Sequence, residues 1–231
     1  GYRTPTKVRI LGGGSSSLKH QVARYDIEDQ LPQGGAWLGE LLRVLESKMG
    51  EANTVAISGY GYGTVAQEAV DRLLRTSGRQ RWICADSRYR ISSLKGIDGA
   101  TPNLQELERT AGRQLITDAD ITEASETLRA QLDAKFLLAT RGNQGMTLVE
   151  EGRSTVHIPV FGTDEVADVT GAGDTVLAVL TAALAAGANP EEAAKMANYG
   201  GGVVVMKLGT ASVTRDELAA AVEQDYGRSA K

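Results

Sequence analysis

The sequence predicts an α/β fold, a mostly parallel sheet with helices on both faces. Two observations carry that prediction. Strand-like segments alternate with segments of helical periodicity along most of the chain. A run of small residues, Gly171-Ala172-Gly173, then opens a long apolar helix directly after a loop. In sheets of this kind ligands bind beyond the carboxyl ends of the strands.

Residues 7–11 and 18–25 read as two strands around a turn at Gly12-Gly13-Gly14-Ser15. Residues 36–47 form an amphipathic helix with Trp37, Leu38, Leu41, Leu42 and Leu45 on one face. The alternation follows: strand 54–58, helix 65–74, strand 81–85, a short helix 104–109, helix 122–132 and strand 136–139. Residues 146–150 and 156–159 read as a hairpin around Glu151-Gly152, and helices are expected at 175–186, 190–206 and 215–224. No repeat, linker or low-complexity tract divides the chain, so residues 1–231 are read as one domain.

Composition narrows the function. A net charge of −4 without a long basic run leaves nucleic acid no electrostatic footprint. The purest apolar run, residues 176–188, is too short and too rich in Ala for a membrane span. Cys84 lies in the apolar run Trp82-Ile83-Cys84-Ala85 and reads as a small buried hydrophobe. One Cys and two His, His20 and His157, argue against zinc. A reducing, cytoplasmic compartment is expected.

The segment Asp168-Val169-Thr170-Gly171-Ala172-Gly173-Asp174 carries the chemistry. Backbone N–H groups at a helix start have no intrahelical partner and lie at the positive end of the helix dipole, so they suit a phosphate. Asp174 then sits on the first turn, where a carboxylate beside an anion site is unfavourable unless it takes a proton from the group attacking a phosphoryl. A plainer account makes the segment a Gly-rich helix start capped by Asp168 or Thr170.

The chain carries three glycine clusters. The Gly12 cluster fails the spacing of a phosphate-binding P-loop, because Ser17 and Leu18 stand where Gly is needed before Lys19, and it reads as a hairpin turn. Gly59-Tyr60-Gly61-Tyr62-Gly63 follows a strand, and Asp86 ends the next one; that is the setting of a dinucleotide fingerprint, but Thr64 replaces its third Gly. Gly200-Gly201-Gly202 interrupts a helix, which admits either tight helix packing or close approach of a flat ligand. Asn103 and Glu106 have the spacing of a capping box, and Asp86 reads as a turn former.

Residues 168–174 resemble the signature Asp-Thr-x-Gly-Ala-Gly-Asp of the PfkB (ribokinase-like) carbohydrate kinases, with Val169-Thr170 in place of Thr-x. Further segments resemble the family in order, and the nearest group is the D-glycero-β-D-manno-heptose 7-phosphate kinases. Ser58-Gly59-Tyr60-Gly61-Tyr62-Gly63 is similar to their Ser-Asp-Tyr-x-Lys-Gly, with Gly59 and Tyr62 replacing two charged residues. Asp86-Ser87-Arg88 stands where they carry Asp-Pro-Lys. Asn103-Leu104-Gln105-Glu106 matches Asn-x-x-Glu, Thr140-Arg141-Gly142 a nucleotide-binding turn, Asn198 the wall of an adenine pocket, and residues 203–210, with Gly209, a Val-Val-Val-Gly-Lys-Leu-Gly-Thr segment.

The resemblance implies a ribokinase-like three-layer sandwich and transfer of the γ-phosphoryl of ATP to a sugar or sugar phosphate, as in lipopolysaccharide heptose activation. Asp174 is then the catalytic base and Gly171, Ala172 and Gly173 the anion hole. Asn103, Leu104, Gln105, Glu106, Thr140, Arg141, Gly142, Asn198 and Gly209 bind nucleotide. Glu106 holds Mg²⁺, directly or through water, and a monovalent cation is compatible. The match begins well inside the family's chain, so the first sheet strands and most of the lid are expected to be absent. Such a sheet exposes an edge, and the chain is expected to be a fragment or to pair through that edge, as a homodimer or with a second chain. Two rivals remain: a nucleotide-binding module without catalysis, and an NAD-dependent oxidoreductase built on the Gly59 cluster.

Overall fold

The computed structural model describes residues 2–13, 20–32, 34–65, 67–76, 81–162 and 168–229. The proposed turn at Gly14-Ser15, the residues Ser17 to Lys19 of the rejected P-loop reading and the first two residues of the second expected strand lie outside them.

Six strands form one sheet in sequential order: β3 (Thr54–Gly59), β4 (Trp82–Ser87), β5 (Gly99–Ala100), β6 (Phe136–Thr140), β7 (Met146–Glu150) and β8 (Val156–Ile158). The pairs from β3 to β6 are parallel, and β6–β7 and β7–β8 are antiparallel hairpins. The strand period places alternate residues on opposite faces. Ile83, Ala85, Leu137, Ala139 and Val149 enter one core, whereas Cys84, Phe136, Leu138 and Leu148 enter the other. The first core is closed by residues of α2 (Gln67–Thr76), α3 (Leu104–Ala111) and α4 (Asp118–Leu132). The second is closed by α5 (Ala172–Ala185) and α6 (Pro190–Val205). Strands β4, β6 and β7, buried on both faces between helix layers, give the expected sandwich, while Ala56 and Ser58 leave one face of β3 exposed.

The antiparallel pair β1 (Thr6–Gly12) and β2 (His20–Ile27) stands apart from this sheet as a ribbon. Helix α1 (Ala36–Met49) follows it, and α7 (Arg215–Ser229) ends the fold.

The expected elements are present with shifted ends. Strand β2 runs two residues later than 18–25. Helix α4 begins at Asp118 rather than 122, because Thr117 and Asp120 form a capping box. Helix α5 begins at Ala172 rather than 175, and neither Asp168 nor Thr170 caps it: its N-cap is Gly171, at φ +84°, with no side-chain bond. Asp168 Oδ1 instead accepts from the Thr170 N–H at 2.8 Å. Strand β5, two residues long, carries too little periodicity to be read from sequence.

Candidate active site

The carboxyl ends of β3 and β4 and the start of α5 converge on a cavity of about 560 Å³. Asp174 lies on the first turn of α5 and lines it with Gly171 and Gly173. The N–H of Ala172 donates to the Val169 carbonyl at 3.2 Å, so of the three expected anion-hole donors that one is engaged. Ala172 lines a neighbouring cavity instead.

Both oxygens of Asp174 are held from the end of β3. Ser58 Oγ donates to Oδ1 at 2.9 Å and the Tyr60 hydroxyl donates to Oδ2 at 2.5 Å. Burial and the Asp174 charge push the Tyr60 phenol well above its ordinary pKa. Sequence reasoning gave neither residue a role, although both stand where the sheet presents its carboxyl ends.

Asp86, at the carboxyl end of β4, reaches the same cavity. Burial, and then the negative charges of Glu106 and Asp174, raise its pKa to about 7. Reading it as a turn former is therefore corrected. It lies against α5, where a Cβ added to Gly173 would come 3.5 Å from Asp86 Oδ2.

Asn103 and Glu106 form the capping box of α3: Asn103 Oδ1 accepts from the Glu106 N–H at 2.9 Å, and Glu106 Oε2 accepts from the Asn103 N–H at 2.9 Å. Asn103, Gln105 and Glu106 also line the cavity, while Leu104 packs against the first core. Among the described residues no three His, Cys, Asp or Glu side chains form a metal cage. The hard oxygens of Glu106 and Asp86 at a cavity wall suit Mg²⁺, which takes one or two carboxylates and completes its shell with water and phosphate.

Five cations line the cavity: Lys7, Arg9 and Arg24 from the ribbon, and Arg88 and Arg109 from the sheet side. Lys7 and Arg24 pair with Asp26. Among the described residues no carboxylate stands within ion-pair distance of Arg9, Arg88 or Arg109. Arg88 thus supplies a positive charge where the heptose kinases carry Lys.

The second cavity, about 390 Å³, shares Val169 and Gly173 with the first and is mainly apolar. Thr140, Gly142, Ala172, Asn198, Gly201 and Gly202 line it. Asn198 is buried and donates through Nδ2 to the Pro159 carbonyl at 2.9 Å. The glycine triplet serves packing as well as access: a Cβ at Gly200 would meet Val179 at 2.8 Å, and one at Gly202 the Phe161 carbonyl at 2.3 Å.

Three expected nucleotide ligands line neither cavity, and Leu104, packed against the first core, is one of them. The Arg141 guanidinium turns to Asp118 Oδ1 at 2.6 Å and Thr147 Oγ1 at 3.2 Å and lines neither cavity. Gly209 lines neither cavity, although its neighbour Thr210 reaches the first. The glycines of the Gly59 cluster line a further cavity of about 570 Å³, and its tyrosines are engaged: Tyr60 holds Asp174, and the Tyr62 hydroxyl accepts from Lys7 Nζ at 2.8 Å and donates to Glu28 at 2.5 Å.

Comparison with known proteins bears on these features. The pfkB family carbohydrate kinases match over residues 17–217. The bifunctional protein HldE of Nitrosococcus oceani is 44% identical over 219 residues, covering 93% of this chain and 44% of that protein. HldE of Pseudomonas aeruginosa is 35% identical over 225 residues, covering 97% and 45%. The chain thus spans less than half the length of the curated relatives it matches. Among solved structures, phosphofructokinase-2 from Escherichia coli in complex with potassium superposes with a TM-score of 0.70 at 21% identity, over 87% of this chain and 66% of that one. Ribokinase from Arabidopsis thaliana complexed with ribose and ATP gives 0.68 at 18%, over 87% and 65%. These likenesses carry the ribokinase-like fold. No helix of the described residues is long and apolar enough to cross a membrane. The chain belongs to the PfkB family of carbohydrate kinases.

Proposed function

We propose that this chain carries the phosphoryl-transfer centre of an ATP-dependent kinase whose acceptor is a sugar hydroxyl, on a phosphorylated heptose. The observation that carries the reading is Asp174 on the first turn of α5, in one cavity with Gly171 and Gly173 and with three arginines, Arg9, Arg88 and Arg109, that have no carboxylate partner among the described residues. The heptose follows from the resemblance of residues 140–146 and 203–210 to heptose 7-phosphate kinases. A phosphorylated acceptor agrees with the cations of the ribbon.

The apolar cavity suits the nucleobase, flat against Gly201 and Gly202, with Thr140 and Asn198 on its rim. The triphosphate then runs past Val169 and Gly173 into the polar cavity, where Arg88 and Arg109 offset its charge. Glu106 and Asp86 would hold Mg²⁺, which when bound neutralises phosphate charge. Asp174 takes the proton of the acceptor hydroxyl as that oxygen bonds to the γ-phosphorus. The bond from phosphorus to the bridging oxygen breaks, and ADP leaves. The N–H groups at the start of α5 stabilise charge on the transferring group, the largest contribution in such sites, and positioning of the acceptor adds to it.

The test is Asp174→Asn, assayed for ATP binding by titration and for transfer to a panel of sugars and sugar phosphates. ATP binding should persist and transfer should fall by about 10³-fold. An active variant would refute the assignment. If the unaltered protein binds ATP but transfers to no acceptor, a nucleotide-binding role without catalysis takes its place.

A further inference from the structure

Phosphoryl transfer uses Asp174 and the start of α5 but leaves the loop after β3 without a task. That loop, Gly59-Tyr60-Gly61-Tyr62-Gly63, sends its two tyrosines to different partners. Tyr60 donates to Asp174 Oδ2. Tyr62 meets the ribbon: its hydroxyl bridges Lys7 and Glu28, the Lys7 ammonium lies 5.4 Å from its ring centroid, and its carbonyl accepts from the Leu31 N–H at 2.9 Å.

The glycines fix this geometry. Gly61 and Gly63 have φ of +85° and +95°, in the left-handed region that other residues avoid. A Cβ at Gly61 would meet the Tyr89 ring at 2.8 Å, and one at Gly63 the Leu31 carbonyl at 3.0 Å. Gly61 alone separates the two tyrosines and lies close against the Tyr89 ring, so a displacement of Tyr62 is felt within two residues at Tyr60.

We infer that Tyr60 is a positioning residue for Asp174, and that the loop of residues 59–63 ties the placement of this carboxylate to the ribbon through Tyr62. This rests on Asp174 being the base. The terminal torsion of an aspartate is broad and roughly two-fold. Ser58 alone holds one oxygen and leaves the other free to turn; Tyr60 fixes the second. A carboxylate oxygen has two acceptor sites, so Oδ2 can keep Tyr60 while it receives the acceptor hydroxyl. The same ribbon presents Lys7, Arg9 and Arg24 to the cavity. An anionic acceptor that draws on those cations therefore also sets the base.

The test uses the full chain with Tyr60→Phe, Tyr62→Phe and the double variant, assayed with ATP and a heptose phosphate. Tyr60→Phe should lower kcat about tenfold while KM for ATP stays within about twofold. Tyr62→Phe should lower kcat about threefold alone and have no further effect on Tyr60→Phe, the mark of a shared linkage. Unchanged kcat in Tyr60→Phe, or an equal Tyr62→Phe effect in both backgrounds, overturns the inference. Hydrogen exchange without ligand is the second measurement. Residues 20–32 should exchange about fivefold faster in both single variants, and unchanged exchange in Tyr60→Phe overturns the coupling. If the unaltered protein transfers to no acceptor, the kinase reading fails on its own and exchange decides the linkage.

Discussion

The two walls of the Asp174 cavity are held by different forces. On the α5 side, Val176, Leu177, Leu180 and Leu184 are buried between the sheet and α6, and the glycines of α6 bring the two helices into direct contact. On the ribbon side, β1 and β2 pair only with each other, and Ile10, Leu11, Val22 and Tyr25 are exposed. A polar link from Lys7 to the Tyr62 hydroxyl ties the ribbon to the loop after β3, while the Lys7–Asp26 pair stays within the ribbon. Packed apolar surface is worth about 25 cal/mol per Å² wherever it is buried, whereas exposed ion pairs contribute about 0–1 kcal/mol each. One wall is thus fixed by packing, and the other is adjustable and reports on what binds.

Four substitutions would break or sharpen this contrast. Asp174→Asn, on the packed wall, has the largest expected effect, a loss of transfer without loss of ATP. Gly202→Ala comes next. Its methyl would collide with the Phe161 carbonyl and should cost about 2–3 kcal/mol by thermal unfolding, together with weaker ATP binding; unaltered stability would show that the wall yields.

Asp86→Asn follows. The Asp86 pKa rises from 3.8 to about 7 on folding, so the folded state holds this proton more tightly. Its contribution to stability is full below about pH 4 and is lost as pH rises through about 7. The amide variant should therefore gain on the parent protein as pH rises between those limits and keep the gain at pH 8, without nucleotide or Mg²⁺. Melting curves with a pH-independent gap would contradict this. The smallest effect belongs to the ribbon. Arg9→Gln should leave the melting temperature unchanged and raise KM for a phosphorylated acceptor about tenfold. Equal loss with an unphosphorylated sugar would remove Arg9 from phosphate recognition.

The same contrast explains what the sequence made legible. The start of α5 and the capping box of α3 are local: consecutive residues fix both geometry and chemistry, and both could be read directly. Among the parallel strands β3, β4 and β6 were readable because each carries apolar residues on both faces, whereas the two residues of β5 were too few. Tyr60 and Asp174 are 114 residues apart, and only the order of strands brings them together. Arg141 was expected at the nucleotide from the resemblance of its turn, and its guanidinium bonds to Asp118 at the start of α4, a pairing of residues 23 apart that the turn itself does not disclose. Asp86 looked ordinary because its altered acidity comes from burial first, and then from charges on α3 and α5, none of which is local in sequence.

Gly59 has a consequence for how such a site changes over generations. It pairs across the sheet with Ser87, and a Cβ at Gly59 would lie 2.9 Å from the Ser87 oxygen. The resembling kinases carry Asp and Pro at these two positions. A side chain at 59 takes room that the Ser87 hydroxyl fills, so the first change it demands is a turn of that hydroxyl. An engineer who places a charged residue on this strand end would give it the most room by replacing Ser87 at the same time.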